Sequence, residues 1–120
     1  LPLLIEDEPR YGYRGLLLDL SRTFYPTSTL RQIIDGLRMT KINVLHLHLT
    51  DDDSIPIEYP SFTGITNYTA FTPSEFYAVN QLKELVRYAE ENGVKVIPEV
   101  DIPGHTRAFG DDPRLTHLLT

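Results

Sequence analysis

Three short apolar runs alternate with two amphipathic stretches along the chain. RGLLLDLS, residues 14–21, is apolar at consecutive positions with polar ends and predicts a buried strand. PTSTLRQIIDGLRMTK follows. Its Leu30, Ile33, Ile34 and Leu37 recur at i, i+3, i+4 and i+7, which predicts a helix with one apolar face and Ser28 or Thr27 as its cap. INVLHLHLT, residues 42–50, predicts a second strand, too apolar on both faces for a solvent-exposed sheet. VNQLKELVRYAEENG, residues 79–93, predicts a second helix with Val79, Leu82, Val86 and Ala89 on one face and Gly93 as its stop. VKVIPEVDI, residues 94–102, predicts the third strand. Residues 1–13 have no period and read as a lead-in. Residues 51–78 carry Pro, Ser, Thr, Asn and Gly and read mostly as loop, longer than a compact connection needs. The tail from residue 110 to 120 has loop signals and a weak apolar end.

The order β-α-β-α-β argues for parallel strands joined by right-handed crossovers. In parallel α/β folds ligands sit at the carboxyl ends of the strands. Here every predicted strand ends in polar chemistry: DLSR at residues 19–22, HLHLTDDD at 46–53, and EVDIPGH at 99–105. Three polar clusters are therefore expected on one rim.

Composition narrows the partners. The 120 residues suit one domain, 41% of them hydrophobic and 23% charged, as in a globular protein. Eleven Lys and Arg against seventeen Asp and Glu give a net charge of −6 with no basic cluster. Nucleic acid is thus not an expected partner, because phosphate contacts need Lys and Arg. Anionic membrane surfaces are disfavoured for the same reason, and no apolar run is long enough for membrane insertion. With no cysteine, the chain holds no disulfide, thiolate metal site or cysteine nucleophile. It starts at Leu1 without an initiator methionine, as expected of processing or excision from a longer chain. No glycine-rich phosphate loop or serine-hydrolase elbow occurs.

Each rim candidate has two readings. Arg22 suits bidentate hydrogen bonding to vicinal hydroxyls, or simply pairs with a neighbouring acid. His46 and His48, two apart on a strand, share a face. They could join Asp101 as metal ligands in a barrel-type hydrolase, or pack within the sheet. Asp51, Asp52 and Asp53 read equally as site acids or as a solvated loop start. Asp101 and His105 bracket I-P-G, and a tight turn at Pro103 and Gly104 would return the imidazole over the strand end. A carboxylate there would fix the histidine tautomer and serve acid–base chemistry; the alternative is a structural cap. Asn67–Tyr68–Thr69 is an N-glycosylation sequon, a pattern that also arises by chance.

Together, YRGLLLDLSRTF, NVLHLHLTDDDSIPIE, LVRYAEENGVKVIPE and EVDIPGHT resemble, in order and spacing, the family 20 glycoside hydrolases, the β-N-acetylhexosaminidases. The resemblance runs from about Glu8 onward. It implies an α/β fold, a partial (β/α)8 barrel in which residues 1–120 form one segment carrying the first three parallel strands; whole barrels need roughly 250 residues. It implies removal of terminal N-acetylglucosamine or N-acetylgalactosamine from glycans with retention of configuration, the substrate's acetamido oxygen acting as nucleophile. By the same likeness Arg22 grips the sugar hydroxyls and Asp51 lies in the polar network beneath the pocket. Asp101 and His105 position and tune the catalytic glutamic acid, and His48 lies nearby. Glu99 is left with a structural hydrogen-bonding role. No cofactor or metal is implied, and the location implied is lysosomal or secreted.

The chain departs from the family pattern at Leu47, where H-W-H is usual, at Ile55 in place of phenylalanine, and in having no tryptophan. The family's adjacent Asp-Glu catalytic pair is absent too: the sole Asp-Glu neighbours, Asp7 and Glu8, precede the first strand. The isolated chain is therefore expected to be inactive. With two open sheet edges it needs the rest of a barrel or self-association. The alternatives are the metal-dependent hydrolase and a non-catalytic sugar-binding module working through Arg22.

Overall fold

The computed structural model describes residues 2–119. Three five-residue strands, β1 (Gly15–Asp19), β2 (Val44–His48) and β3 (Lys95–Glu99), form one parallel sheet in the order β1-β2-β3. Helix α1 (Thr27–Met39) connects the first pair, and a long loop followed by α3 (Val79–Glu91) connects the second. The loop holds a single helical turn, α2 (Thr66–Thr69), and a bridge between Ile57 and Tyr77. Residues 110–120 were expected as loop; the described part instead winds into 3-10 turns at Arg107–Asp111 and Thr116–Leu118. No helix among the described residues is long and apolar enough to cross a membrane.

Strand alternation divides the sheet into two chemistries. Leu45, Leu47 and Leu49 join Leu30, Ile34 and Leu37 of α1 and Leu85 and Ala89 of α3 in one core. Leu47 is 2% exposed in that layer. The residue that replaces the family's usual tryptophan thus faces the helices. On the other face the register sets Leu17, His46 and Ile97 level, and above them Asp19, His48 and Glu99. Among the described residues that face has no layer over it, and Leu17 is 54% exposed. The outer edges of β1 and β3 are likewise unpaired among the described residues. The parallel sheet is as the βαβ order predicts, and its helix-covered and polar faces fit the arc of barrel wall that the resemblance implies.

The helix boundaries show where local chemistry differed from expectation. Neither Thr27 nor Ser28 caps α1. Pro26 occupies the cap position, and its carbonyl accepts the N–H groups of Thr29 (2.9 Å) and Leu30 (3.1 Å). Proline fits there because its fixed φ suits a helix entrance and it has no N–H to leave unpaired. In α3 the buried residues are Leu85 and Ala89, whereas Val86 is 41% exposed. The apolar stripe is rotated from the expected one, so that Val79, Leu82 and Val86 line an open apolar groove of about 560 Å³ beside Val96 and Pro98. Gly93 does stop the helix, at φ +73°, a conformation that L side chains resist.

The long loop is pinned at both ends. Buried Tyr77 donates its hydroxyl to the Tyr25 carbonyl (2.6 Å) and accepts the Tyr25 N–H (3.2 Å). Burial pushes that phenol up to about 12. Thr69 donates to the Ile55 carbonyl (2.8 Å), and Arg114 ties Asp112 to the Thr63 carbonyl (3.2 Å). The loop is thus a packed wall on the rim side of the sheet. Asp7, by contrast, pairs with Lys41, which precedes β2, so the Asp7–Glu8 dipeptide lies toward the amino ends of the strands.

Candidate active-site rim

The carboxyl ends of all three strands converge. Backbone bonds carry the ladder one residue past the strands, from Leu20 N–H to the His48 carbonyl (3.0 Å) and from Leu49 N–H to the Glu99 carbonyl (3.1 Å). Ser54 Oγ donates to the Ser21 carbonyl (2.5 Å), joining the loops after β1 and β2. Thr50 Oγ1 accepts the Asp101 N–H (2.8 Å), joining the loops after β2 and β3. Asp52 accepts the Arg107 N–H (2.9 Å) and makes a second tie to the same loop. These crosslinks fix the spacing of the side chains above them.

Arg22 is held between two carboxylates: Nη1 donates to Asp19 Oδ2 at 2.6 Å, and Nη2 lies 2.5 Å from Asp51 Oδ2. Its side chain is still 48% exposed. A guanidinium has five donors in a rigid fork, so it retains N–H groups for a ligand while its plane is fixed by the acids. Both expected readings of Arg22 therefore hold together, since the acid pairing is what aims it. The Asp19 carboxyl is pushed up by burial, yet N–H groups of Arg22 and Ser21 outweigh this and keep it below its ordinary 3.8. In turn Asp19 raises the Arg22 guanidinium.

Asp51 is the buried hub. Its side chain is 4% exposed, and Oδ2 faces Arg22, His105 Nδ1 at 3.0 Å and His48 Nε2 at 3.6 Å. None of these groups gives Oδ2 a well-aligned hydrogen bond, so the attraction there is mainly between charges. Burial pushes its carboxyl up, but the Asp53 N–H, the Arg22 charge and the Asp52 N–H bring it below 3.8. Of the three consecutive aspartates only Asp51 is buried. Asp53 is exposed, and Asp52 serves the tie to Arg107.

The D-I-P-G-H turn returns the imidazole over the strand end, as expected, but by a different residue and toward a different acid. His105 itself takes the left-handed conformation, φ 55°, rather than Gly104. A non-glycine residue there is uncommon and is held by its surroundings. Its near carboxylate is Asp51 at 3.0 Å; Asp101 lies 3.9 Å from Nε2. His105 Nδ1 is also 3.4 Å from Arg22 Nη2. The nearer carboxylate holds the ring by charge and proximity, while a guanidinium can only donate, so Nδ1 faces an acid and a donor at once. Nε2 is the nitrogen on the Asp101 side of the half-exposed ring.

The histidines of β2 meet Glu99, which sequence reading left with only a structural role. Its Oε1 lies 3.1 Å from His48 Nδ1, and its Oε2 pairs with His46 Nε2. His46 is thereby turned away from the metal set expected of His46, His48 and Asp101. The groups whose donor atoms do come together, within 4.8 Å, are His48, Glu99 and Asp101. Asp19 is a contributor that motif reading did not single out, and Glu99 one to which it gave only a structural role. The signal was available in the strand alternation, which puts them on the same face as His46 and His48.

The chain matches the family described as glycosyl hydrolase family 20, catalytic domain, over residues 11–116. It is 42% identical to beta-hexosaminidase 1 of Arabidopsis thaliana, covering 91% of this chain and 20% of that protein. It is 40% identical to beta-hexosaminidase subunit beta of Mus musculus, covering 97% of this chain and 21% of that protein. The crystal structure of an exo beta-N-acetylglucosaminidase from Vibrio harveyi, in complex with N-acetylglucosamine, overlays 93% of this chain and 20% of its own with a TM-score of 0.83 at 33% identity. The chain spans about a fifth of the length of the curated relatives it matches. With its parallel βαβαβ arc and its convergent rim, the chain belongs to glycosyl hydrolase family 20 and matches part of that family's catalytic domain.

Proposed function

We propose that residues 1–120 are one segment, the N-terminal part, of the catalytic barrel of a β-N-acetylhexosaminidase, which releases terminal N-acetylglucosamine or N-acetylgalactosamine from glycans. The observation that carries this is the cluster of Arg22, Asp51 and His105 at the ends of three different strands, with Asp51 Oδ2 within 3.0 Å of both bases. In this role Arg22 binds ring hydroxyls with the donors that Asp19 and Asp51 leave free. Asp51 holds Arg22 and His105 in register by its charge. His105 Nε2 is the nitrogen left to meet the glutamic acid that protonates the leaving oxygen. Asp101 sits on the same side and adds negative charge where that proton is handled. The acetamido group of the substrate attacks the anomeric carbon, and the Asp-Glu pair that orients it and supplies the proton comes from outside these residues.

The 120 residues alone are inactive in this reading, because the pair is missing and the inner face of the sheet is open. The test is release of the aryl group from an aryl N-acetyl-β-glucosaminide. A polypeptide that continues past Thr120 with an Asp-Glu pair after the next strand hydrolyses it with retention, and the purified 120 residues do not. Turnover by the 120 residues alone, or none by the longer polypeptide, would defeat the proposal.

We also place the protein in the lysosome or outside the cell, with Asn67 as a glycosylation site. Asn67 is exposed, which supports the assignment. Thr69 is 2% exposed, with its hydroxyl donating to the Ile55 carbonyl, so a glycan would have to be added before this turn folds.

A further inference from the structure

Glu99 makes a contact that neither sugar binding nor proton transfer explains. It ends β3, level with His48 on β2 and Asp19 on β1. Its two oxygens go to two histidines of the neighbouring strand, Oε1 to His48 and Oε2 to His46. Those histidines stand two residues apart, so one carboxylate spans two levels of the inner face. Glu99 does not touch Arg22, Asp51 or His105 in any hydrogen bond or ion pair of the described residues. It reaches them through His48. That ring is nine-tenths buried, its Nε2 has no hydrogen-bond partner, and it lies 3.6 Å from Asp51 Oδ2. The ring also stands edge-on to His105, with centroids 5.9 Å apart at 84°. His48 therefore supports both Asp51 and His105 from below, and Glu99 sets the orientation of His48.

Tautomer chemistry sharpens this. A carboxylate accepts only, so the Glu99 contact puts a proton on His48 Nδ1. Nε2 is then the nitrogen turned toward Asp51. Without Glu99 the ring could turn over or exchange tautomers, and the Asp51 carboxylate would lose a defined neighbour. Histidines that must present one nitrogen commonly have the other held by a carboxylate, and removing that carboxylate costs activity although it touches no substrate.

We propose that Glu99 is a positioning residue: by clamping His46 and His48 it fixes the His48 tautomer and ring, and through that ring it sets the packing beneath Asp51 and His105. This deepens the hexosaminidase reading and rests on it for its kinetic consequence, though not for its structural one. The test uses the enzyme that carries residues 1–120, labelled with 15N-histidine, as wild type, Glu99→Gln and Glu99→Asp. In the wild type the imidazole spectrum shows His48 protonated at Nδ1, a state that a neutral ring with a free Nδ1 would not give. In Glu99→Gln that resonance moves, and kcat/KM for an aryl N-acetylglucosaminide falls about 10–100-fold with a displaced pH profile. Glu99→Asp, which keeps the charge but shortens the reach, recovers part of both.

A wild-type His48 lacking the Nδ1 proton overturns the proposal, whether or not any variant folds. So does a Glu99→Gln enzyme with unchanged kinetics and an unchanged His48 signal. If the wild-type enzyme does not cleave the substrate, the hexosaminidase reading fails, and the spectra still decide whether Glu99 sets the His48 tautomer.

Discussion

Leu47→Ala separates a structural position from a functional one. Leu47 replaces the tryptophan usual in this motif and sits between two site histidines, so by sequence it could wall the sugar pocket. In the structure it is 2% exposed and packed among the helix-facing leucines. Removing its buried side chain forfeits about 1.5–3 kcal/mol of burial. The cavity contribution is small, because Leu47 also lines the open groove beside α3, which the deletion merely enlarges. The expected cost is about 2–3 kcal/mol, the lower part of the range for Leu→Ala. A urea titration followed by far-UV circular dichroism measures it. With a slope of about 1–3 kcal/mol per molar, the midpoint drops by roughly 0.7–3 M and the slope stays constant. KM for an aryl N-acetylglucosaminide in the barrel-completed enzyme stays within about twofold, because nothing on the rim moves. A variant of unchanged stability whose KM rises tenfold or more would mean that Leu47 faces the sugar.

Acid stability should follow the rim carboxylates. Glu99 is held below its ordinary 4.5, chiefly by the hydrogen bond from His48, and Asp51 and Asp19 lie below 3.8. A carboxylate depressed on folding contributes stability above its unfolded value and loses it as pH falls through the folded one. The urea midpoint is thus expected to hold from neutral pH down to about pH 5 and to fall below 4. Glu99→Gln should flatten that fall; an equally steep fall in the variant would show that the clamp contributes nothing. Arg22→Lys should raise KM far more than it lowers kcat, because an ammonium cannot fork between two acids and still serve hydroxyls; an unchanged KM would remove Arg22 from the sugar. Gly93→Ala should cost about 1 kcal/mol, since φ is +73° and the space for a methyl is open, which leaves backbone conformation as the sole penalty; a thermal midpoint equal to wild type would contradict it.

Much of this was legible in the sequence. The apolar runs are long enough to identify three strands, and the i, i+3, i+4 pattern of α1 buries Leu30, Ile34 and Leu37 as expected. The convergence of the three polar strand ends followed from parallel topology alone. What was not legible depends on the third dimension. The α3 stripe rotated toward Leu85 because the core is set by where the helix lands on β2 and β3, not by the helix's own moment. The assignment of His105 to Asp51 rather than Asp101 needed the loops after β2 and β3 to be crosslinked through Thr50. Glu99 looked like an odd acid in an apolar strand because its partners lie more than fifty residues earlier. Which way Leu47 faces was not legible from the motif, because strand neighbours sit close in sequence while facing opposite sides of the sheet.

The most direct measurement is a crystal structure of the barrel-completed enzyme soaked with N-acetylglucosamine. The expected result has the Arg22 guanidinium within hydrogen-bond distance of the ring hydroxyls, Asp51 buried behind it, and His105 Nε2 directed at the glutamic acid of an Asp-Glu pair. A sugar bound away from the three strand ends, or bound through a metal on His48, Glu99 and Asp101, would contradict the assignment of this rim.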